Sequence, residues 1–195
     1  MVLKDSMFGK MLHDAWQAAL RPKIQGSWNL HEILPAELGF FIMLSSLNGV
    51  MGVNSQANYA TGGTLQDAPA QYLVSIGLPA TSLDLGAVNS IGFVAEGSEY
   101  ARHTTAGLEQ LQENEIHYLL DYILHMQARG SSGIAEQACQ FTAGFSSEAM
   151  YLDEGVPVPA FLQFPLFTHL RLPTTAQNNR VFDVRKLIQA SKSLE

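Results

Sequence analysis

Three short apolar runs punctuate the chain, and each stops at serine or glycine. Phe40-Phe41-Ile42-Met43-Leu44 is unbroken and ends at Ser45-Ser46, the pattern of a strand buried on both faces. Pro79 to Leu85 ends at Gly86, and Cys139 to Ala143 ends at Gly144. Helical periodicity fills the intervals. Ala15 to Leu34 places Trp16, Leu20, Ile24, Trp28 and Leu30 at near-helical spacing. Leu108 to Met126 carries a clean amphipathic stripe of Leu108, Leu111, Ile116, Leu119, Leu120 and Ile123. Strands alternating with helices predict an α/β fold, with three parallel strands flanked by helices. From Pro157 onward, prolines and the Asn/Thr-rich stretch 174–179 predict irregular packing followed by a linker, with a short helix over 182–194.

Composition narrows the class. The 195 residues fit one domain, or one domain with a tail. Charged residues make up 15% of the chain (11 basic, 18 acidic), where a globular domain usually carries about 25%. Hydrophobic content, at 47%, is ordinary and excludes intrinsic disorder. The shortage of charge predicts apolar surface meant to be covered by something larger. A net charge of −7 leaves no basic field for nucleic acid or anionic lipid. Cys139 is the single cysteine, so a disulfide framework and a thiolate metal cluster are excluded, and the six histidines show no metal spacing. The opening residues lack a signal-peptide core. The charge-free stretch Leu38 to Gln66 is too polar to span a membrane. A soluble cytoplasmic protein is expected.

The stretch from Ser45-Ser46 to Asn58-Tyr59-Ala60 carries the chemistry. A strand ending in serine delivers a hydroxyl at its carboxyl end, where open α/β sheets keep their active sites. Tyr59 follows Ser46 by thirteen residues, at the predicted start of the next helix, and Lys23 lies upstream. A Ser/Tyr/Lys set can reduce a carbonyl. Tyrosine's pKa near 10 is too high for easy proton exchange at neutral pH, and an ammonium beside it favours the phenolate. The serine hydroxyl holds the substrate oxygen while a hydride arrives from the other side. Other features have plain readings: Asp84 makes hydrogen bonds at a strand end, His125 and Asp121 form a surface pair, and the methionines fill the core.

The surrounding text is more specific. LRPKIQGSWNLHEIL (20–34), FFIMLSSLNGVMGVNSQANYATGGTLQDAPAQ (40–71), GLPATSLDLGAVNSIG (77–92), PAFLQFPLFTHL (159–170) and the opening MVLKD resemble, in order, the ketoreductase domain of fungal highly reducing polyketide synthases. These are members of the short-chain dehydrogenase/reductase superfamily. The resemblance implies that Ser46 orients a ketone, Tyr59 donates the proton and Lys23 lowers the tyrosine pKa. A lysine upstream of the serine is itself a discriminating match. Lys23, Tyr59 and Gly86 would contact NADPH, with Gly86 ending a strand near the nicotinamide; a turn glycine is the plain alternative.

The same resemblance aligns the opening residues with the end of the reductase's fourth strand. The expected fold is thus a partial Rossmann-like, NAD(P)-binding fold with the first half of the sheet missing. No G-x-G-x-x-G phosphate loop occurs, where a complete fold has about six or seven strands and such a loop. Residues 1–170 are read as the carboxyl part of a ketoreductase domain, and 171–195 as a linker toward an acyl carrier protein. Expected partners are the rest of the reductase, neighbouring synthase domains, and the carrier protein with its phosphopantetheine-bound substrate. By itself the chain is expected to lack measurable NADPH affinity and to be aggregation-prone along the Phe40–Leu44 strand.

Two departures bear on activity. Where the family has asparagine four residues after the tyrosine, this chain has Gly63, preceded by Gly62. Pro69 then interrupts the same predicted helix. Each glycine costs a helix roughly 1 kcal/mol relative to alanine, and an interior proline about 3 kcal/mol. Three functions therefore stand side by side: reduction of β-ketoacyl thioesters, a truncated or decayed remnant without turnover, and a small esterase using Ser46. The esterase lacks a G-x-S-x-G elbow and is discounted.

Overall fold

A computed structural model describes residues 2–35, 37–89, 108–128 and 139–171. Three parallel strands in the order β1-β2-β3 form the sheet: β1 (Ile42–Ser46), β2 (Thr81–Leu85) and β3 (Gln140–Ala143). Register is fixed by Leu44 opposite Leu83 and Leu83 opposite Phe141. Helix α1 (His13–Ile33) leads into β1, while α2 (Asn48–Met51) and α3 (Ala57–Ser75) carry the chain from β1 to β2. Helix α4 (Glu113–Ala128) lies between β2 and β3, and α5 (Glu148–Asp153) follows. The predicted α/β architecture of three parallel strands with flanking helices is the one observed.

The two sheet faces have different covers. Met43 joins Ala70, Leu73 and Ala80 in an apolar cluster beneath α3. Leu83 and Ile123 are both fully buried, and Gln127 of α4 donates to Thr81 Oγ1 at 2.7 Å. Leu44 shares the Leu83 side of the sheet yet is 57% exposed, so β1 is not buried on both faces as expected. The cause is position. β1 is an edge strand among the described residues, with β2 on one flank. It also begins two residues later than the apolar run, because pairing with Thr81–Leu85 runs to Ser46, leaving Phe40 55% exposed.

Helix starts moved for similar reasons. Leu108 and Leu111 precede α4: Leu111 is tied to Val88 in an isolated parallel bridge, and the Gln112 amide donates to the Glu115 carboxylate at 2.8 Å. That reaching-back carboxylate is half of a capping box and sets the helix start. Helix α3 is continuous through Gly62, Gly63 and Pro69. The predicted irregular segment after Pro157 makes two 3-10 turns, Ala160–Gln163 and Pro165–Leu170. Phe145, Phe161 and Phe167 stack edge to face there, with ring centroids 5.0–6.0 Å apart, and Val50 and Met51 of α2 pack on that cluster. The reading of residues 171–195 as a linker falls, apart from Arg171, outside the described residues.

Candidate active site

Serine 46 closes β1, so its hydroxyl stands at the carboxyl end of the sheet. Its Oγ accepts from the Asn48 amide at 3.3 Å. Tyr59 sits in the first turn of α3, where the Ser46 hydroxyl acts on the phenol to favour the phenolate. Lys23, in the middle of α1, reaches across to α3 and places Nζ 5.1 Å from the centroid of the Tyr59 ring. The structure thus brings together all three residues that sequence reasoning nominated.

An amide network that the sequence reading missed holds Tyr59 in place. Asn58 is fully buried; its Nδ2 donates to Lys4 O at 2.9 Å and Ala15 O at 3.3 Å, while its Oδ1 accepts the Tyr59 amide at 2.9 Å. Asn48 Nδ2 donates to Gln56 Oε1, and Gln56 Nε2 to Asp5 Oδ2. Buried amides are costly unless paired, so this network pins the opening segment, the loop before α3 and Tyr59 to one another. The local signal was a cluster of amides, Asn54, Gln56 and Asn58, immediately before the tyrosine.

Electrostatics at the site are set chiefly by burial. Burial raises the Tyr59 phenol above its ordinary 10.0, and the Ser46 hydrogen bond pulls it back. Burial lowers the Lys23 ammonium from 10.5, opposed by the charges of Asp84 and then Asp67. Lys23 also donates to Gln66 Oε1 at 2.7 Å. An ammonium over an aromatic face is attracted to the ring and disfavours loss of its own proton.

Behind the site lies a second buried cluster. Asp84, expected to be a hydrogen-bonded strand-end residue, is fully buried on β2 and accepts from Gln140 Nε2 at 2.7 Å. Asp67 of α3 accepts from Ser82 Oγ at 2.6 Å and interacts electrostatically with Asp84. Desolvation, opposed by the Ser82 hydrogen bond, lifts the Asp67 pKa to about 6. Asp84 Oδ1 is buried with no hydrogen-bond partner, and a proton on one of the two carboxyls would relieve the repulsion between them. Asp67 had not been singled out.

Gly86 follows β2 directly and donates its amide to Ala143 O at 2.7 Å. A Cβ there would stand 2.9 Å from Gly144 Cα, so glycine is required for the two strand ends to touch. The donor chemistry fits the nicotinamide end of a dinucleotide: Lys23 spends one of its three N–H bonds on Gln66, leaving two, and Ser46 and Tyr59 add hydroxyl groups. His125 and Asp121 form the expected exposed pair, 3.3 Å apart. Among the described residues no His/Cys/Asp/Glu group could hold a metal, and no helix is long and apolar enough to cross a membrane.

Residues 1–90 match the family model described as KR domain. The chain is 41% identical over 170 residues to the highly reducing polyketide synthase tazB of Aspergillus terreus, covering 87% of this chain and 6% of the synthase. It is 34% identical over 200 residues to the 6-hydroxymellein synthase cdmE of Talaromyces verruculosus, covering 100% of this chain and 8% of that protein. A ketoreductase from the first module of phoslactomycin biosynthesis in Streptomyces sp. HK803 superposes with a TM-score of 0.63 at 22% identity, covering 90% of this chain and 38% of that one. The chain thus spans a small fraction of the synthases it matches and about two fifths of a solved ketoreductase. Residues 1–90 thus match the KR domain family, and the chain along most of its length is similar to a segment of fungal polyketide synthases.

Proposed function

We propose that this chain supplies the catalytic residues for NADPH-dependent reduction of a β-ketoacyl thioester to the β-hydroxyacyl thioester during polyketide synthesis. The convergence of Ser46 at the end of β1, Tyr59 in the first turn of α3 and Lys23 over the tyrosine ring carries this reading. Ser46 holds the ketone oxygen. Tyr59 passes its proton to that oxygen as negative charge develops there, and Lys23 stabilises the phenolate left behind. NADPH, when bound, supplies the hydride, and Lys23, Tyr59 and the Gly86 backbone would hold its nicotinamide end. The substrate arrives on the phosphopantetheine arm of an acyl carrier protein, with 1–170 acting as reductase and 171–195 as the linker to that carrier. The remaining part of the reductase domain completes the cofactor site.

Gly63 favours one alternative, a remnant without turnover, since the family's asparagine is absent there. The two readings separate in one assay. Residues 1–170 are placed in the ketoreductase of a related synthase, and NADPH consumption is followed with a β-ketoacyl thioester. Formation of the β-hydroxyacyl product supports reduction; a folded chimera that forms none supports the remnant.

A further inference from the structure

Tyr59, Gly62 and Gln66 fall three and seven residues apart on α3 and so share one helical face, turned toward α1. Lys23 lies against that face along its whole length. Its Cδ and Cβ stand 3.0 and 3.7 Å from where a Cβ on Gly62 would be, so the methylene stem occupies the space that glycine leaves open. Its Nζ continues one helical turn further, to Gln66 Oε1 at 2.7 Å. Gln66 is itself 6% exposed and anchored on its other side, its Nε2 donating to Ser27 Oγ of α1 at 3.2 Å. A buried amide bonded at both ends has one rotamer available to it. Its carbonyl oxygen is therefore a fixed point for the ammonium.

We propose that Gln66 is a positioning residue for Lys23, and that Gly62 and Gln66 together form a seat on α3 that holds the lysine against Tyr59. This deepens the ketoreductase reading and rests on it for its catalytic meaning. It also gives the departures at 62 and 63 a different sense. With no side chain at 62 the lysine stem lies close, and the polar partner for its head group comes from position 66. Gln66 does not touch substrate; it acts through Lys23.

The test reads Lys23 itself in the full chain, by NMR titration of selectively labelled lysine side chains, with Lys23→Met for assignment. The charged and titratable groups acting on Lys23 are Tyr59 and Asp67 from α3 and Asp84 from β2, and all three are left intact. Gln66→Leu, of similar size, is expected to move the Lys23 pKa down by about one pH unit, the scale of one lost hydrogen bond to a charged group. Gln66→Glu keeps an acceptor and adds a negative charge, so it moves the pKa up relative to the parent. Gly62→Ala, which crowds the stem, moves it down without touching the amide. A Lys23 pKa unchanged in both Gln66 variants overturns the proposal. Should the leucine variant fail to fold, the glutamate variant alone decides: an upward shift supports the seat and no shift overturns it. No turnover is involved, so Lys23 shifts with an inactive reductase would sink the functional reading and leave the seat intact.

Discussion

Lys23 and Tyr59 meet across the α1–α3 interface, with the ammonium 5.1 Å from the ring centroid. The lysine therefore faces the π-surface of the tyrosine, and the group that favours the phenolate is Ser46. Contrary to the expectation that Lys23 lowers the tyrosine pKa, burial leaves the phenol above its ordinary value, and the one group opposing that shift is Ser46.

Removing the serine hydroxyl has a definite sign. Its hydrogen bond favours the phenolate, so Ser46→Ala should raise the Tyr59 pKa further above its already elevated position. Phenolate absorbance titrated in Ser46→Ala, with the curve of its Tyr59→Phe double variant subtracted, isolates the one tyrosine. An unchanged or lower pKa would show that the hydrogen bond is not made in solution.

The Asp67–Asp84 pair makes stability depend on pH. Asp67 titrates at about 6 in the folded chain against 3.8 for the model carboxylate, so the folded state holds more protons than the unfolded one between those values. Its contribution is complete below about pH 4 and is lost as pH rises through about 6. Asp67→Asn retains a neutral group able to accept from Ser82 and donate to Asp84. The variant's melting temperature should therefore fall less than the parent's between pH 4 and pH 6. Parallel curves for the two proteins would argue against a proton held on one of the two carboxyls.

Gly49 allows α2 and α3 to touch. A Cβ at that position would stand 2.8 Å from the Thr64 backbone nitrogen and 3.1 Å from the Gly63 carbonyl carbon. Backbone cannot swing aside as a side chain can, so Gly49→Ala should cost about 1–3 kcal/mol in chemical denaturation, the range for overpacking. The loss should accompany weaker Tyr59–Ser46 coupling, because α2 follows Ser46 directly. A stability equal to the parent's would mean that the helices separate freely.

The edge of β1 predicts how the isolated chain behaves. Leu44 on β1 and Phe40 just before it are more than half exposed, and the outer flank of the strand has no partner among the described residues. Leu44→Lys should reduce self-association measured by light scattering while leaving the melting temperature near the parent's, because a charged side chain on an edge strand discourages pairing. Equal aggregation in both proteins would place the sticky surface elsewhere.

What could be read in advance follows from physical range. The strands were legible because apolar runs carry their meaning locally, whereas the Lys23, Ser46 and Tyr59 set was nominated through the family resemblance of the text around it. Register was not: nothing within Phe40–Leu44 says that pairing extends to Ser46 and leaves Phe40 outside. The supporting residues were hidden for the same reason. Asn58 binds Lys4 and Ala15, Gln66 binds Lys23, and Asp67 binds Ser82 and Asp84, all partners from distant parts of the chain. An amide or carboxylate in isolation reads as surface, and only the tertiary structure reveals that it is buried and paired. The glycines at 62 and 63 were legible as helix weakeners, yet α3 is intact, with Lys23 lying over one and Gly49 against the other.

The most direct test is the turnover number of the chimeric reductase before and after Tyr59→Phe. The phenylalanine keeps the ring that Lys23 covers and removes the one proton the mechanism uses. Ketone reduction should fall by about 10²–10⁴-fold, the range for a lost general acid, with substrate KM little changed. A Tyr59→Phe enzyme turning over at the parent rate would contradict the assignment of Tyr59 as proton donor, and with it the catalytic reading of this site.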